Sequence, residues 1–255
     1  MSVIRGARER ARVEVTAAIK DEARRQLAAE GATHLSLRAV ARELGMASSA
    51  LYRYFPSRDD LLTALIIDAY DAVGEAAETA LAGAAGAAHV DRWLAVCRAT
   101  RNWSVAHPHE YALIYGSPVP GYSAPDDTIA PASRVALALV RVIRDAHQAG
   151  RLGEPQGRPL ARPVRTDIAH LAATLAPELP VPAVAALVAA WAQLFGIVSF
   201  EIFGQFNNVV GERPAFFDQA AAALARQVGL DVFPVLPAEQ PPGRPRADAG
   251  PADAV

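Results

Sequence analysis

Histidine and carboxylate side chains are the commonest carriers of chemistry, and this sequence groups three of them at His107, His109 and Glu110, with His89 upstream. Their spacing argues against a metal centre. Two ligands on one helix face stand four residues apart, as in His-Glu-x-x-His, whereas His107-Pro108-His109 sets them two apart and no His-Glu-x-x-His pattern follows. Helix-end solvation accounts for these histidines. Cys97 is alone, which excludes an intramolecular disulfide and a cysteine-rich metal site. No catalytic residue, metal or cofactor is therefore expected. A helical enzyme, or a carrier of hydrophobic ligands that does not bind DNA, is the alternative to a nucleic-acid-binding function.

Charge is distributed unevenly. Residues 1–58 hold eleven Arg and Lys against six acids, a net +5, whereas the rest of the chain carries −7. A basic head on an acidic body suits a chain that lays one end on phosphate, although a solvated arm would show the same excess. The elements that position this head can be read from periodicity. Val15, Ile19, Ala23 and Leu27 recur every four residues, predicting a helix from about Glu9 to Glu30 that Gly31 ends. Ser36 can cap a short helix over Leu37–Leu44, Gly45 breaks it, and a third helix covers about Ser48–Phe55. Ala47 has no polar side chain to cap that third helix and Ser48 offers an alternative cap, which leaves its start open by one residue. A fourth starts near Arg58 and buries Leu61, Leu62, Leu65, Ile66, Ala69 and Val73. Ala41 is small where two short helices must cross, and Gly45 supplies the left-handed turn between them. Val40, Leu44, Met46, Leu51 and Tyr54 or Phe55 fall where a small core would hold the pair to the first helix. This is helix-turn-helix logic, in which the second short helix enters the major groove.

The remainder also reads as helical. Apolar residues make up 52% of the chain and aromatics only 7%, with Ala dominant, which favours helices over strands. Helices are expected at about 89–106, 109–116, 131–149, 165–176, 181–206 and 214–228, with the small-residue break at Gly83–Gly86 as a hinge. The domains expected are 9–72 (motif 37–56) and 73–235, followed by a tail, 236–255, too rich in Pro, Gly and charge to fold. Residues 181–200 lack charge, but Pro182, Gln193 and the many alanines favour a buried or shared helix over a membrane span. The N-terminus lacks a secretory apolar core, and with a single cysteine this points to a reducing, cytoplasmic setting.

Thr33-His-Leu-Ser-Leu-Arg-Ala-Val-Ala-Arg-Glu-Leu-Gly45 followed by Ala50-Leu-Tyr-Arg-Tyr-Phe-Pro-Ser-Arg-Asp-Asp-Leu-Leu62 resembles the DNA-binding domain of TetR-type regulators, over roughly residues 10–72. His107–Pro118, with Trp191 and Gly196, resembles one C-terminal subgroup of that family, the Trp/Gly-motif (WHG-like) subgroup. The resemblance implies an all-α fold, an N-terminal three-helix DNA-binding domain and a larger helical bundle for ligand binding and dimerisation. It also implies a ligand-responsive repressor that binds a palindromic operator in double-stranded DNA as a homodimer. Ser48 and Ser49 would open the recognition helix, Tyr52 and Tyr54 would meet phosphate, and Arg58 would set its charge against phosphate. Ser36, Arg38 and Arg53 complete the expected DNA-facing set. A small apolar or amphipathic effector is implied, with Trp103, Tyr111, Tyr115, Trp191, Phe195 and Phe203 as candidate walls of its pocket. The uncharged 181–206 helix and the 165–176 helix resemble the family's dimerising pair.

Overall fold

The computed structural model describes residues 2–155 and 158–230, with side chains described from residue 9 onward. The expected tail at 236–255 lies outside the described residues. Ten α-helices form, and no strand forms among the described residues. They are α1 (Ser2–Glu30), α2 (Leu37–Glu43), α3 (Ser48–Leu51), α4 (Arg58–Gly83), α5 (His89–Ala106), α6 (Pro108–Tyr115), α7 (Ile129–Gln148), α8 (Arg162–Leu175), α9 (Val181–Ile202) and α10 (Arg213–Gln227).

Local chemistry explains most of the boundaries. The α1 helix begins upstream of the expected Glu9, with no proline or capping side chain between Ser2 and Glu9 to interrupt it. Ser36 caps α2, its hydroxyl accepting from the Ala39 N–H at 3.4 Å. Gly45 then takes φ +64°, and the Met46 N–H reaches back to the Ala41 carbonyl at 2.8 Å, closing α2 in a Schellman turn. Pro108, Pro163, Pro182 and Pro214 stand in the first turns of α6, α8, α9 and α10, where a fixed φ and a missing N–H cost nothing. Helices α6 and α8 therefore start one to three residues earlier than their periodicity suggests. The expected Ser48–Phe55 helix is regular only to Leu51. Beyond it the Tyr54 N–H bonds Leu51 O at 2.8 Å, a tighter i→i+3 turn.

Two clusters of buried residues organise the chain. One joins α1 (Ile19, Ala23, Leu27) to Leu37, Val40, Ala41, Leu51, Phe55 and the start of α4 (Leu61, Leu62, Leu65). The other gathers Val73, Ala77 and Leu81 at the far end of α4 with α5, α7, α9 and α10 around Trp93, Leu139, Ile143 and Phe217. One helix thus enters both cores. The Gly83–Gly86 break, expected as a hinge, is the loop of the α4–α5 hairpin, and both arms of that hairpin lie in the second core. Arg134 of α7 crosses α4 at Gly74, where a β-carbon would come within 2.7 Å of the arginine side chain, and bonds Asp71 and Glu78 on either side. Cys97 lies fully buried in the second core, which pushes its thiol far above the ordinary range and leaves it unreactive.

The Gly45 conformation carries a testable cost. A β-carbon there would meet no atom within 4 Å, so only backbone strain opposes it. Gly45→Ala is expected to lower stability by about 1–2 kcal/mol, read as a lowered denaturation midpoint with an unchanged slope.

Candidate nucleic-acid interface and effector cavity

The α2–α3 hairpin offers a set of exposed polar side chains. Arg38, Ser48, Ser49, Tyr52 and Arg53 are all exposed, whereas Val40, Ala41 and Leu51 on the same helices are buried. The buried set fixes the hairpin on α1 and leaves the other set to solvent. Ala47 forms the N-terminal boundary of α3 without any side-chain cap, so Ser48 is the first helical residue and not the alternative cap. Its hydroxyl and that of Ser49 make no hydrogen bond among the described residues. Tyr54 is half-buried against the first core, with the Arg12 guanidinium 5.9 Å above its ring. Ser36, as the α2 cap, has its hydroxyl engaged.

Arg58 behaves differently from expectation. Its Nε donates to Leu35 O at 3.2 Å, and a terminal nitrogen donates to Ala32 O at 2.7 Å and Thr33 O at 3.3 Å. It ties the start of α4 to the α1–α2 connection instead of presenting an unengaged charge to phosphate. The basic excess is reduced in the same way. Lys20 and Arg24 both bond Asp68 of α4, at 2.9 and 2.6 Å, and Arg24 also reaches Asp21 and Glu110. Position along the chain did not reveal that these cations turn toward α4 and α6 and not toward the α2–α3 hairpin.

A cavity of about 780 Å³ opens between α4, α6, α7, α8, α9 and the α6–α7 connection. Tyr115 and Trp191, two of the aromatic candidates, line it, and Phe195 stacks behind Tyr115 at 4.1 Å between ring centroids. The other aromatic candidates are elsewhere. Tyr111 is fully buried, its hydroxyl donating to Phe195 O at 3.1 Å and sharing a hydrogen with Ser199, so it packs α6 on α9. Trp103 stacks on His107, and Phe203 is 45% exposed at the end of α9. Phe195 itself is part of the core and not of the wall. Sequence reasoning missed Tyr70 and Tyr122, which do line the cavity. Tyr70 lies on α4 one turn beyond Ile66, a spacing that was visible. Tyr122 lies in a loop with no periodicity to place it.

The cavity and the helix-turn-helix share structure. Leu113, Val119 and Tyr122 line the cavity and also pack against the first core, and the Tyr122 hydroxyl pairs with Thr63 of α4 at 2.9 Å. Tyr70 of α4 donates to the Ile114 carbonyl of α6 at 3.2 Å. Glu110, one turn before that wall, meets Arg24 of α1 at 3.2 Å. Helix α6 therefore touches the head through an ion pair at its start and the cavity through its last turn.

The α9 helix is the one described helix long and apolar enough to cross a membrane by length and composition, with mean hydropathy 2.0. Eight of its residues are nevertheless buried in the fold, among them Glu201, which takes a bidentate pair from Arg101 at 2.7 and 2.5 Å.

Residues 19–65 match the family of bacterial regulatory proteins described as the tetR family, and residues 93–224 match the tetracyclin repressor-like C-terminal domain. The HTH-type transcriptional regulator Rv1816 of Mycobacterium tuberculosis is 39% identical over 208 residues, covering 79% of this chain and 86% of its own. Among solved structures, the regulatory protein SCO4313 superposes with a TM-score of 0.68 at 36% identity, over 85% of this chain and 97% of its own. RolR, solved in complex with resorcinol, shares the fold at 17% identity and a TM-score of 0.50, over 87% of this chain and 91% of its own. With its helix-turn-helix, its all-α architecture and both halves matched, the chain belongs to the TetR family of transcriptional regulators.

Proposed function

We propose that this ligand-responsive, DNA-binding regulator acts as a homodimeric repressor of a palindromic operator, and that filling the cavity releases it. The observation that carries this reading is the sharing of Leu113, Val119 and Tyr122 between the cavity wall and the core of the helix-turn-helix. A ligand that displaces those side chains changes the support on which α1–α3 sit. The head is taken as 9–72 and the ligand-binding and dimerising body as 73–235, with the division falling inside α4. The Trp191/Gly196 motif, both residues on α9, supports placing the body in the Trp/Gly subgroup. The chain is read as cytoplasmic and non-enzymatic.

Within the head, Arg38, Ser48, Ser49, Tyr52 and Arg53 are the DNA-contacting residues, with Tyr54 and Ser36 at the edge and Arg58 positioning the loop. Tyr52, 41% exposed, fixes register on phosphate, while the serines at the start of α3 meet base edges. Dimerisation is supported by the outer faces of α8 and α9. Val164 and Phe200 are exposed there, alongside exposed Ala189, Ala192 and Gly196. Small residues along α9 permit close approach of a second copy about a two-fold axis, placing two heads on half-sites roughly 34 Å apart, one turn of duplex.

The experiment that tests the reading is selection of bound duplexes from a randomised library by the full chain, followed by titration of the enriched sequence. Enrichment of an inverted repeat is expected; failure to enrich any sequence overturns the reading. Tyr52→Phe should weaken binding by a similar factor on all selected sequences, about 10-fold for a loss near 1.4 kcal/mol, whereas Ser49→Arg should change which sequences are enriched. A reshaped preference in Tyr52→Phe would reassign the two roles. Ala189→Asp places like charges at the axis without touching the core, unlike Ala190, which is fully buried within the protomer. Sedimentation of Ala189→Asp should show monomers with helical circular dichroism retained and operator affinity lost. A dimeric, operator-tight variant would move the interface to α7.

A further inference from the structure

The chemistry of the cavity wall limits what can occupy it. None of the lining side chains is an acid, a lysine, an arginine or a histidine. Arg144 reaches the carbonyl of lining Leu175 at 3.2 Å but is paired with Glu178, and Arg134, beside lining Ser133, is held by Asp71 and Glu78. An ionised ligand would therefore enter with no counter-charge, and an unpaired buried charge costs several kcal/mol. One side is aliphatic, built from Leu139, Val140, Leu171, Leu179, Val184 and Leu187. The other is aromatic, with Tyr70 edge-on to Tyr115 at 5.8 Å and Trp191 near Phe195.

Most hydroxyls of the wall are already engaged. Tyr70 donates to Ile114 O, Tyr122 is shared with Thr63, Thr128 donates to Pro125 O, and Ser133 donates to Ala130 O. Ser117 is exposed. Two donors of the aromatic side have no partner among the described residues, the Tyr115 hydroxyl and Trp191 Nε1, the latter sealed from solvent. Burial beside Tyr70 and Tyr111 pushes the Tyr115 phenol far above its ordinary value, so it stays an O–H donor wherever the protein is folded.

Resting on the reading that this cavity holds the effector, we propose that the effector is an uncharged, chiefly apolar molecule bearing a carbonyl-type acceptor, bound through the Tyr115 hydroxyl with its hydrocarbon part against the α7–α9 side. Carboxylates, amines and phosphorylated compounds of the same shape are rejected by the absence of a counter-charge.

Three probes of one shape separate these contributions by titration calorimetry on the full-length protein: para-hexylacetophenone, para-hexylbenzoate and hexylbenzene. At about pH 8 the benzoate is fully ionised, and it should bind on the order of 100-fold or more weakly than the ketone. Tyr115→Phe should weaken the ketone about 10-fold and leave hexylbenzene unchanged. Ser133→Arg, which sets a cation on the wall at a partly exposed position, should strengthen the benzoate and not the ketone. A benzoate within 10-fold of the ketone, a Tyr115→Phe loss shared equally by ketone and hydrocarbon, a benzoate indifferent to Ser133→Arg, or no binding of any probe overturns the proposal. A mobility shift on library-selected DNA separates the two readings. If the ketone binds as stated but does not release DNA, the ligand class stands and the regulatory role of the cavity falls.

Discussion

Helix α4 is the member on which the rest of the fold depends. Its 26 residues extend about 39 Å at 1.5 Å per residue, and they are used in sequence: Leu61, Leu62 and Leu65 in the head, Ile66 and Tyr70 at the cavity, Val73, Ala77 and Leu81 in the body. Close-packed cores do not deform continuously, so a change at the middle of such a rod moves one end relative to the other instead of being absorbed. The rod is also pinned at its flanks. Arg134 clamps α7 to it across Gly74, whereas α6 and its connection to α7 are held to it by the Tyr70–Ile114 and Tyr122–Thr63 hydrogen bonds.

Electrostatics reinforce that division of labour. Asp68 of α4 collects Lys20 and Arg24 from α1, and Arg24 extends the contact to Glu110 of α6. Each side chain is roughly a quarter to a third exposed, so the individual pairs contribute little to global stability. Their effect is orientational: three helices meet at one charge, and α1 cannot rotate on α4 without breaking two pairs at once. The cost is that two of the basic residues in the first 58 are not available to phosphate. Arg38, Arg42 and Arg53 are exposed on the hairpin itself.

The head was legible in the sequence because short-range rules dominate it. The Gly45 turn, the Ser36 cap, the Ala41 contact and the apolar stripe of α1 are local events, and each follows from residue type and spacing. The helices of the body were legible for the same reason, to within a few residues at their ends. The cavity was not. Aromatic residues were the natural candidates for its wall, yet Tyr111 binds α6 to α9, Trp103 stacks on His107 at the end of its own helix, and aliphatic side chains of five helices line the cavity. Which face of α9 points inward depends on its packing against α8 and α10, and no periodicity in a helix apolar all round reports that. The role of Arg58 was hidden likewise, since its partners are backbone carbonyls more than twenty residues away.

A shared wall has a thermodynamic consequence that runs in both directions. If ligand in the cavity lowers affinity for DNA by some factor, DNA on the α2–α3 hairpin must lower affinity for ligand by the same factor. Leu113, Val119 and Tyr122 thus form a single two-sided element whose preference is set jointly by whatever lies on each face. At equilibrium, protein bound to its operator would be the least occupied by ligand, and protein away from it would fill at lower ligand concentration. The number of operators relative to the number of protein copies then becomes part of the response threshold, although no residue in the cavity has changed.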